Sequence, residues 1–241
     1  MQAVGAQGKF NMLFGIEWDI SNNWAFAWSI LPILLKGLIV TIQATLVGFV
    51  VALILGLLLA ALKGARLRII SWPAYFITEF IRDTPLLVQL FFLYYVLPEY
   101  GIILPAFMTG ALALGLQYSA YTSEVYRAGL ESIPHGQTEA SRALDFTPVH
   151  TFIFIILPQA IPRIIPALGN YLVSIMKDVP VLSVIAILEI LNVARIIGDR
   201  TFNYLIPLTM VGIIYLLLTL LASAGIRYLD KRLPKEGIPL K

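Results

Sequence analysis

The chain contains no cysteine, which excludes disulfide staples and thiolate metal sites and leaves the redox compartment unreadable. Charge is scarce as well. Only 13% of its 241 residues are Asp, Glu, Lys or Arg, against about a quarter in a soluble domain. Its histidines, His135 and His150, are far apart and stand outside any carboxylate motif, so no zinc-type pair is available. A phosphate-binding glycine-lysine loop and a serine elbow are also missing. No catalytic residue, metal ligand or cofactor is therefore expected. No basic stripe with interleaved aromatics occurs, so nucleic acid is not an expected partner. Met1 to Phe10 lack the basic start, apolar run and cleavage site of a removable signal peptide.

What is present is mostly apolar. The chain is 59% hydrophobic with a mean hydropathy of +0.85. That predicts a polytopic all-α membrane protein built as one domain, with lipid as its solvent. Five spans are expected. The first is 37–62, closed by Lys63, Arg66 and Arg68, a basic cluster that reads as cytoplasmic. The second segment, 72–97, is mixed at first and apolar only from Pro85 onward. Its Glu79, Arg82 and Asp83 read as a salt-bridged patch at the cytoplasmic interface rather than an acid-base cluster. A turn without basic residues, Pro98 to Gly101, fits the outside. The third span is 102–121 and the fourth 149–176. The fourth carries Pro158, Pro162 and Pro166 at four-residue spacing, near one helix face. Each frees a carbonyl one turn back, so this helix must be buried or line a path. Residues 179–191 are apolar but short, as in a re-entrant element, and 204–226 form the last span. The basic tail from Arg227 to Lys241 is again cytoplasmic. Trp18, Trp24 and Trp28 suit an interfacial belt or ordinary helix packing.

One polar stretch interrupts this pattern. The segment Glu139-Ala140-Ser141-Arg142-Ala143-Leu144-Asp145 is too charged to cross a bilayer, yet lies between two spans. It must face water, where it can dock a soluble partner. Within this segment Glu139 and Arg142 stand three apart and can pair on one helix face. Thr147-Pro148 reads as an N-cap with proline at the first helical position. Within the spans, Gln89 and Glu189 are polar residues in apolar runs, which is costly unless they are satisfied. Gln89 is either an interhelical hydrogen bond or a pathway group. Glu189 is either a scaffold carboxylate or a pathway group. Lys177 and Asp178 are adjacent, do not face each other on a helix, and are expected to orient the re-entrant element. A self-contained channel or secondary transporter would show internal repeats, and no convincing repeat is found. A membrane-embedded enzyme would need a catalytic constellation that is missing.

Together with Ile156-Leu157-Pro158-Gln159-Ala160, the polar segment resembles the cytoplasmic "EAA" loop of ABC importer permeases. The block from Phe80 to Phe92, with Arg82-Asp83-Thr84-Pro85-Leu86-Leu87-Val88-Gln89, is similar to the signature of the polar amino-acid uptake permeases. So are Tyr118 to Arg127, Ile133 to Gln137, Asn170-Tyr171-Leu172, Lys177-Asp178 and Ser183-Val184-Ile185 with Glu189. Leu97 to Gly101 and Gly198 to Phe202 resemble permeases for ectoine-type compatible solutes. The resemblance implies the type I importer permease (MetI-like) fold in the cell inner membrane, amino terminus outside and carboxyl terminus inside. Residues 1–29 would form a periplasmic or interfacial segment. Residues 30–230 would form the transmembrane domain with its cytoplasmic loop at 134–158, and 231–241 the basic tail. It implies separate ATP-binding cassette ATPase subunits, an extracytoplasmic solute-binding protein and a second permease subunit, identical or homologous. Gly136, Glu139, Ala140, Ser141, Leu144 and Asp145 would form the ATPase coupling surface. Gln89, Glu189 and Leu86 would border the solute pathway. Asp145 departs from the family, whose loop carries glycine there. Aspartate is among the few residues that tolerate the left-handed turn this position needs, at a cost on the order of 1 kcal/mol.

Overall fold

Helix α1 (Asn23–Lys63) starts where the Asn22 side chain accepts from the Ala25 amide at 2.8 Å, and it ends at Gly64. At 1.5 Å per residue it is about 60 Å long, roughly twice the hydrocarbon thickness. The expected span 37–62 is only its second part, because Pro32 and Lys36 break the apolar run without breaking the helix. The computed structural model describes residues 9–12 and 16–234. Residues 1–8 of the expected leaderless start and residues 235–241 of the basic tail lie outside them. Ahead of α1, strands β1 (Lys9–Met12) and β2 (Ile16–Asp19) pair antiparallel with Phe10 opposite Trp18. This hairpin departs from the all-α expectation. Trp18 is buried with Phe26, Ile30, Ile190 and Ile197, whereas Trp24 and Trp28 stay exposed on α1. Core packing therefore accounts for the first tryptophan, and the other two remain free for an interface.

The buried face of α1 is a stripe of small residues: Gly37, Thr41, Ala44, Gly48, Ala52 and Gly56. Opposite it runs α4 (Ala106–Glu131), which contributes Ala111, Gly115, Ser119 and Thr122. Backbones approach closely here because neither helix has bulk to keep them apart. A Cβ on Gly56 would stand 2.0 Å from Thr122 Oγ1, and one on Gly115 2.3 Å from Val51 Cγ1. Thr122 Oγ1 also donates to the Ala52 carbonyl at 2.8 Å. The opposite face of α1, with Ile39, Leu46, Val50, Ile54 and Leu57, is exposed. So are Ile213, Leu216, Leu217, Leu220 and Leu221 on α9 (Leu205–Arg232). Apolar faces of this extent suit lipid rather than water.

Between α1 and α4 the chain makes an elbow. Helix α2 (Arg68–Asp83) stops at Thr84-Pro85, and α3 (Leu86–Phe91) continues through a π-turn (Phe92–Val96) and a 3-10 turn (Leu97–Tyr100). The two halves are bent by 102°. After α4 come the short α5 (His135–Ala143) and a continuous helical run. That run is α6 (Pro148–Thr151), a π-turn (Phe152–Ile156), α7 (Leu157–Asp178) and a 3-10 turn (Val179–Ile185). The π-turn falls where Pro158 removes its amide donor, the usual cause of such a register slip. Pro162 is buried and Pro166 half-buried, while Pro158 is exposed. Ala186 and Phe202 adopt left-handed backbones (φ 62° and 53°) and bracket α8 (Ile190–Thr201).

Among the described residues, Asn23–Lys63, Pro148–Ile185 and Leu205–Arg232 are long and apolar enough to span, and the α2–α3 pair makes a fourth if counted as one. Helix α4, the expected third span, is not among these. Half of its 26 residues are buried by other helices, so it needs less apolar surface than a lipid-facing helix.

Candidate functional site

Two polar centres stand out, one inside the bundle and one projecting from it. The inner one begins at the elbow. Gln89 is buried on α3, and its Nε2 donates to the carbonyls of Ile81 (2.8 Å) and Thr84 (3.0 Å). These carbonyls at the end of α2 have lost helical partners at the Thr84-Pro85 break, and the side chain satisfies them. The same amide lies against Gln117 of α4. Gln89 thus pins α2, α3 and α4 at one point, while its Oε1 is buried with no hydrogen-bond partner. Leu86, one turn earlier, packs on the core of Leu90, Leu114 and Tyr118.

Glu189 is fully buried and caps α8: Oε2 accepts from the Leu191 amide at 2.9 Å and Oε1 from the Asn192 amide at 2.5 Å. An N-terminal carboxylate there satisfies orphan donors and meets the positive end of the helix dipole. Gln89 and Glu189 therefore sit in different elements with different hydrogen-bonding duties.

The residue reading missed a third group, between α4 and α7. Tyr118 Oη donates to Asp178 Oδ2 at 2.7 Å. Tyr118, Tyr121 and Tyr171 pack ring to ring, with centroids 5.8 to 6.0 Å apart. In the sequence these residues stood only in separate blocks of family resemblance, with no sign that they meet. Asp178 ends α7 at the point where the 3-10 turn begins, in line with the expectation that it orients this element. Lys177 points elsewhere, into an open groove of about 480 Å³ with Leu191, Val211 and Tyr215.

The projecting centre is α5. It runs from His135 to Ala143, with Leu144 as its C-cap, and Asp145 follows at φ 59°. The left-handed turn that its family position implied is present, made by an aspartate. The Phe146 amide then donates to the Ser141 carbonyl, closing the turn. Thr147 caps α6, its Oγ1 accepting from the His150 amide, with Pro148 in the first helical turn. Gly136, Glu139, Ala140, Leu144 and Asp145 are exposed. Ser141 is not: it is buried and its Oγ donates to the Gln137 carbonyl at 2.6 Å. It holds the helix from within instead of presenting a contact. Glu139 and Arg142 form no ion pair, so that expected pair is corrected. Both side chains point out to solvent. The base of α5 is fixed by Ile133, packed on Ala160 and Ile164, and by Arg163 donating to the Ser132 carbonyl.

At the same end of the bundle a second unforeseen feature appears. Lys63, expected as part of a cytoplasmic basic cluster, is buried. Its Nζ lies 2.6 Å from Glu124 Oε1 and 2.9 Å from Ser123 Oγ. Glu124 also pairs with Arg127, which reaches Glu131. Arg82 pairs with Glu79 as expected for a salt-bridged patch.

Comparison with known proteins decides what such an assembly is. The family described as binding-protein-dependent transport system inner membrane component matches residues 52–235. The chain belongs to this family. It is similar to the probable amino-acid ABC transporter permease protein y4tG of Sinorhizobium fredii, 66% identical over 95% of this chain and all of that one. The arginine transport system permease protein ArtQ of Bacillus subtilis is 36% identical over 80% of this chain and 89% of its own. Among solved structures, the crystal structure of an amino acid ABC transporter with histidines aligns with a TM-score of 0.81. It has 35% identity and covers 86% of this chain and 96% of its own. A methionine transporter in an inward-facing form shares the fold, with a TM-score of 0.65 at 18% identity. The chain is thus an ABC transporter permease, a multi-pass inner-membrane component of a binding-protein-dependent transport system.

Proposed function

We propose that this permease moves a polar amino acid or amino-acid-like solute inward by alternating access, with α5 as the coupling helix for a cytoplasmic ATPase. The observation that carries this reading is the build of α5. It is an exposed helix with a small residue, Ala140, in its outer surface, held at both ends by the Ile133 cluster and the Asp145 turn. A lever must be fixed to the body it moves, and this one is anchored on α4 and α7. A solute-binding protein delivers the solute at the other side, and a second permease subunit completes the pathway. Gln89 and Leu86 border that pathway at the elbow, and Glu189 sets the position of α8 beside it. Asp178 with its tyrosine rings offers the carboxylate and aromatic faces that hold an ammonium group. The ectoine-type reading rests on Leu97 to Gly101 and Gly198 to Phe202, which here form turns at helix ends. Competition for uptake between ectoine and polar amino acids decides between the two.

The coupling reading is tested by Ala140→Glu in the reconstituted transporter. A carboxylate buried in a joint without a partner costs several kcal/mol, so receptor-stimulated ATP hydrolysis and uptake should both be lost. Asp145→Gly is the control and should retain both, since glycine takes the same positive φ without strain. Normal stimulated hydrolysis in Ala140→Glu would remove α5 from the coupling role.

A further inference from the structure

Helix α2 presents three faces of different chemistry. Ala74, Thr78 and Ile81 are buried, where the helix packs on α1 and α4. On the opposite side Ile69, Trp72, Phe76 and Phe80 are 82%, 77%, 68% and 63% exposed. Spacings of three and four residues place those side chains on one stripe. Arg68, Glu79 and Arg82 occupy one flank between the two faces, by the same helical geometry. The helix thus turns Ala74, Thr78 and Ile81 to the protein and large apolar residues away from it, with its charge on one flank apart from Asp83 at its last position.

A water-exposed helix has no use for that stripe, and a spanning helix has no use for the charged flank. A helix lying in the plane of a membrane surface uses both. The bend supports this orientation. Helix α3 carries the apolar continuation, and α2 meets it at 102°, so α2 lies along the surface if α3 enters the bilayer. At the start of α2, Arg66 and Arg68 are both exposed, and neither has an ion-pair partner among the described residues. Lys63, by contrast, is used up by Glu124. Arg68 borders an open groove of about 490 Å³ whose other walls are Ile69, Trp72 and Pro73. Unpaired positive charge therefore adjoins an exposed apolar track.

We propose that α2 is an interfacial helix resting on one leaflet, and that Arg66 and Arg68 hold the phosphates of anionic phospholipids whose acyl chains run along Ile69, Trp72, Phe76 and Phe80. Charge complementarity selects the lipid: two free guanidiniums attract anionic headgroups over zwitterionic ones. The Lys63–Glu124 contact puts this corner at the α5 end of the bundle. That the leaflet is the cytoplasmic one rests on the reading of α5 above; the lipid selectivity does not.

The experiment uses the complete transporter in vesicles of phosphatidylcholine with and without phosphatidylglycerol. A photo-crosslinking amino acid at position 76 should attach to phospholipid. Native mass spectrometry should show retained phosphatidylglycerol in excess of phosphatidylcholine. Arg66→Gln and Arg68→Gln should each lower that excess by about fivefold, and Arg66→Lys should preserve it. Attachment of position 76 to the second permease subunit would make the stripe a subunit interface and overturn the proposal. So would an unchanged lipid ratio in the double glutamine variant. Receptor-stimulated hydrolysis in Ala140→Glu is read separately, so the two readings can fail independently.

Discussion

At the scale of single residues, the same side-chain type does different work depending on what surrounds it. Glu189 and Gln89 are alike in sequence, each a polar group in an apolar run. One closes the start of α8 and the other staples a helix break. Glu189→Ala removes both acceptors from buried amides and should destabilise the subunit by about 1–3 kcal/mol. Glu189→Gln retains one acceptor and should lose less. Thermal unfolding of the detergent-solubilised subunit measures the difference. If the two variants were equally stable, the cap would carry no weight. The left-handed backbone at Asp145 was expected from the resemblance, whose loop carries glycine there, and aspartate is among the few residues that can replace it. The burial of Ser141 was not expected, because which side of α5 faces the body depends on its packing against α6 and the π-turn Phe152–Ile156.

At the scale of elements, the ionic chain Lys63–Glu124–Arg127–Glu131 joins the end of α1 to the helix that leads into α5. The Lys63 ammonium also lies 5.6 Å from the Tyr75 ring centre, so the same residue touches α2. The pair is asymmetric. The Lys63 side chain is 0% exposed and that of Glu124 is 28% exposed. Glu124→Gln leaves a buried ammonium without a counter-charge, which costs about 3–5 kcal/mol. Lys63→Met leaves a carboxylate that still has Arg127 and solvent, and it should be milder. We expect Glu124→Gln to reduce folded yield more than Lys63→Met, with Lys63→Met/Glu124→Gln recovering part of the loss. The yield of monodisperse protein by size exclusion checks the order. Equal losses would mean that the partners share their burial evenly. The bend between α2 and α3 was foreseen only as a change from mixed to apolar composition. The bend at Thr84-Pro85 is bridged by Gln89, which also meets Gln117 on α4.

For the whole molecule, the contact of Lys63 with Glu124 brings the ends of α1 and α4 together at one side. The turn at Pro98 to Gly101 precedes α4, at its far end. With the orientation expected from the basic clusters, cysteine at Arg66 or at Glu139 should be labelled by a thiol reagent from the inside only, and cysteine at Glu99 from the outside only. The chain has no native cysteine to confuse the readout. Labelling of positions 66 and 139 from opposite sides would contradict the fold, and labelling of both from the outside would invert the orientation.

The sequence alone determined the membrane class, the apolar segments and the polar loop. These follow from composition and from neighbours a few residues apart, where lipid or water is the deciding surrounding. Only the tertiary structure decided which polar groups were satisfied and by what. Lys63 read only as one of a basic cluster until Glu124, 61 residues away, was brought to it. Tyr118 met Asp178 only across two helices. The small residues from Gly48 to Gly56 show their use only where they meet the matching surface of α4, and Gly37 only where it meets α8. Hydrogen bonds and ion pairs in a low-dielectric interior depend on partners within a few ångströms, and distance along the chain does not give distance in space.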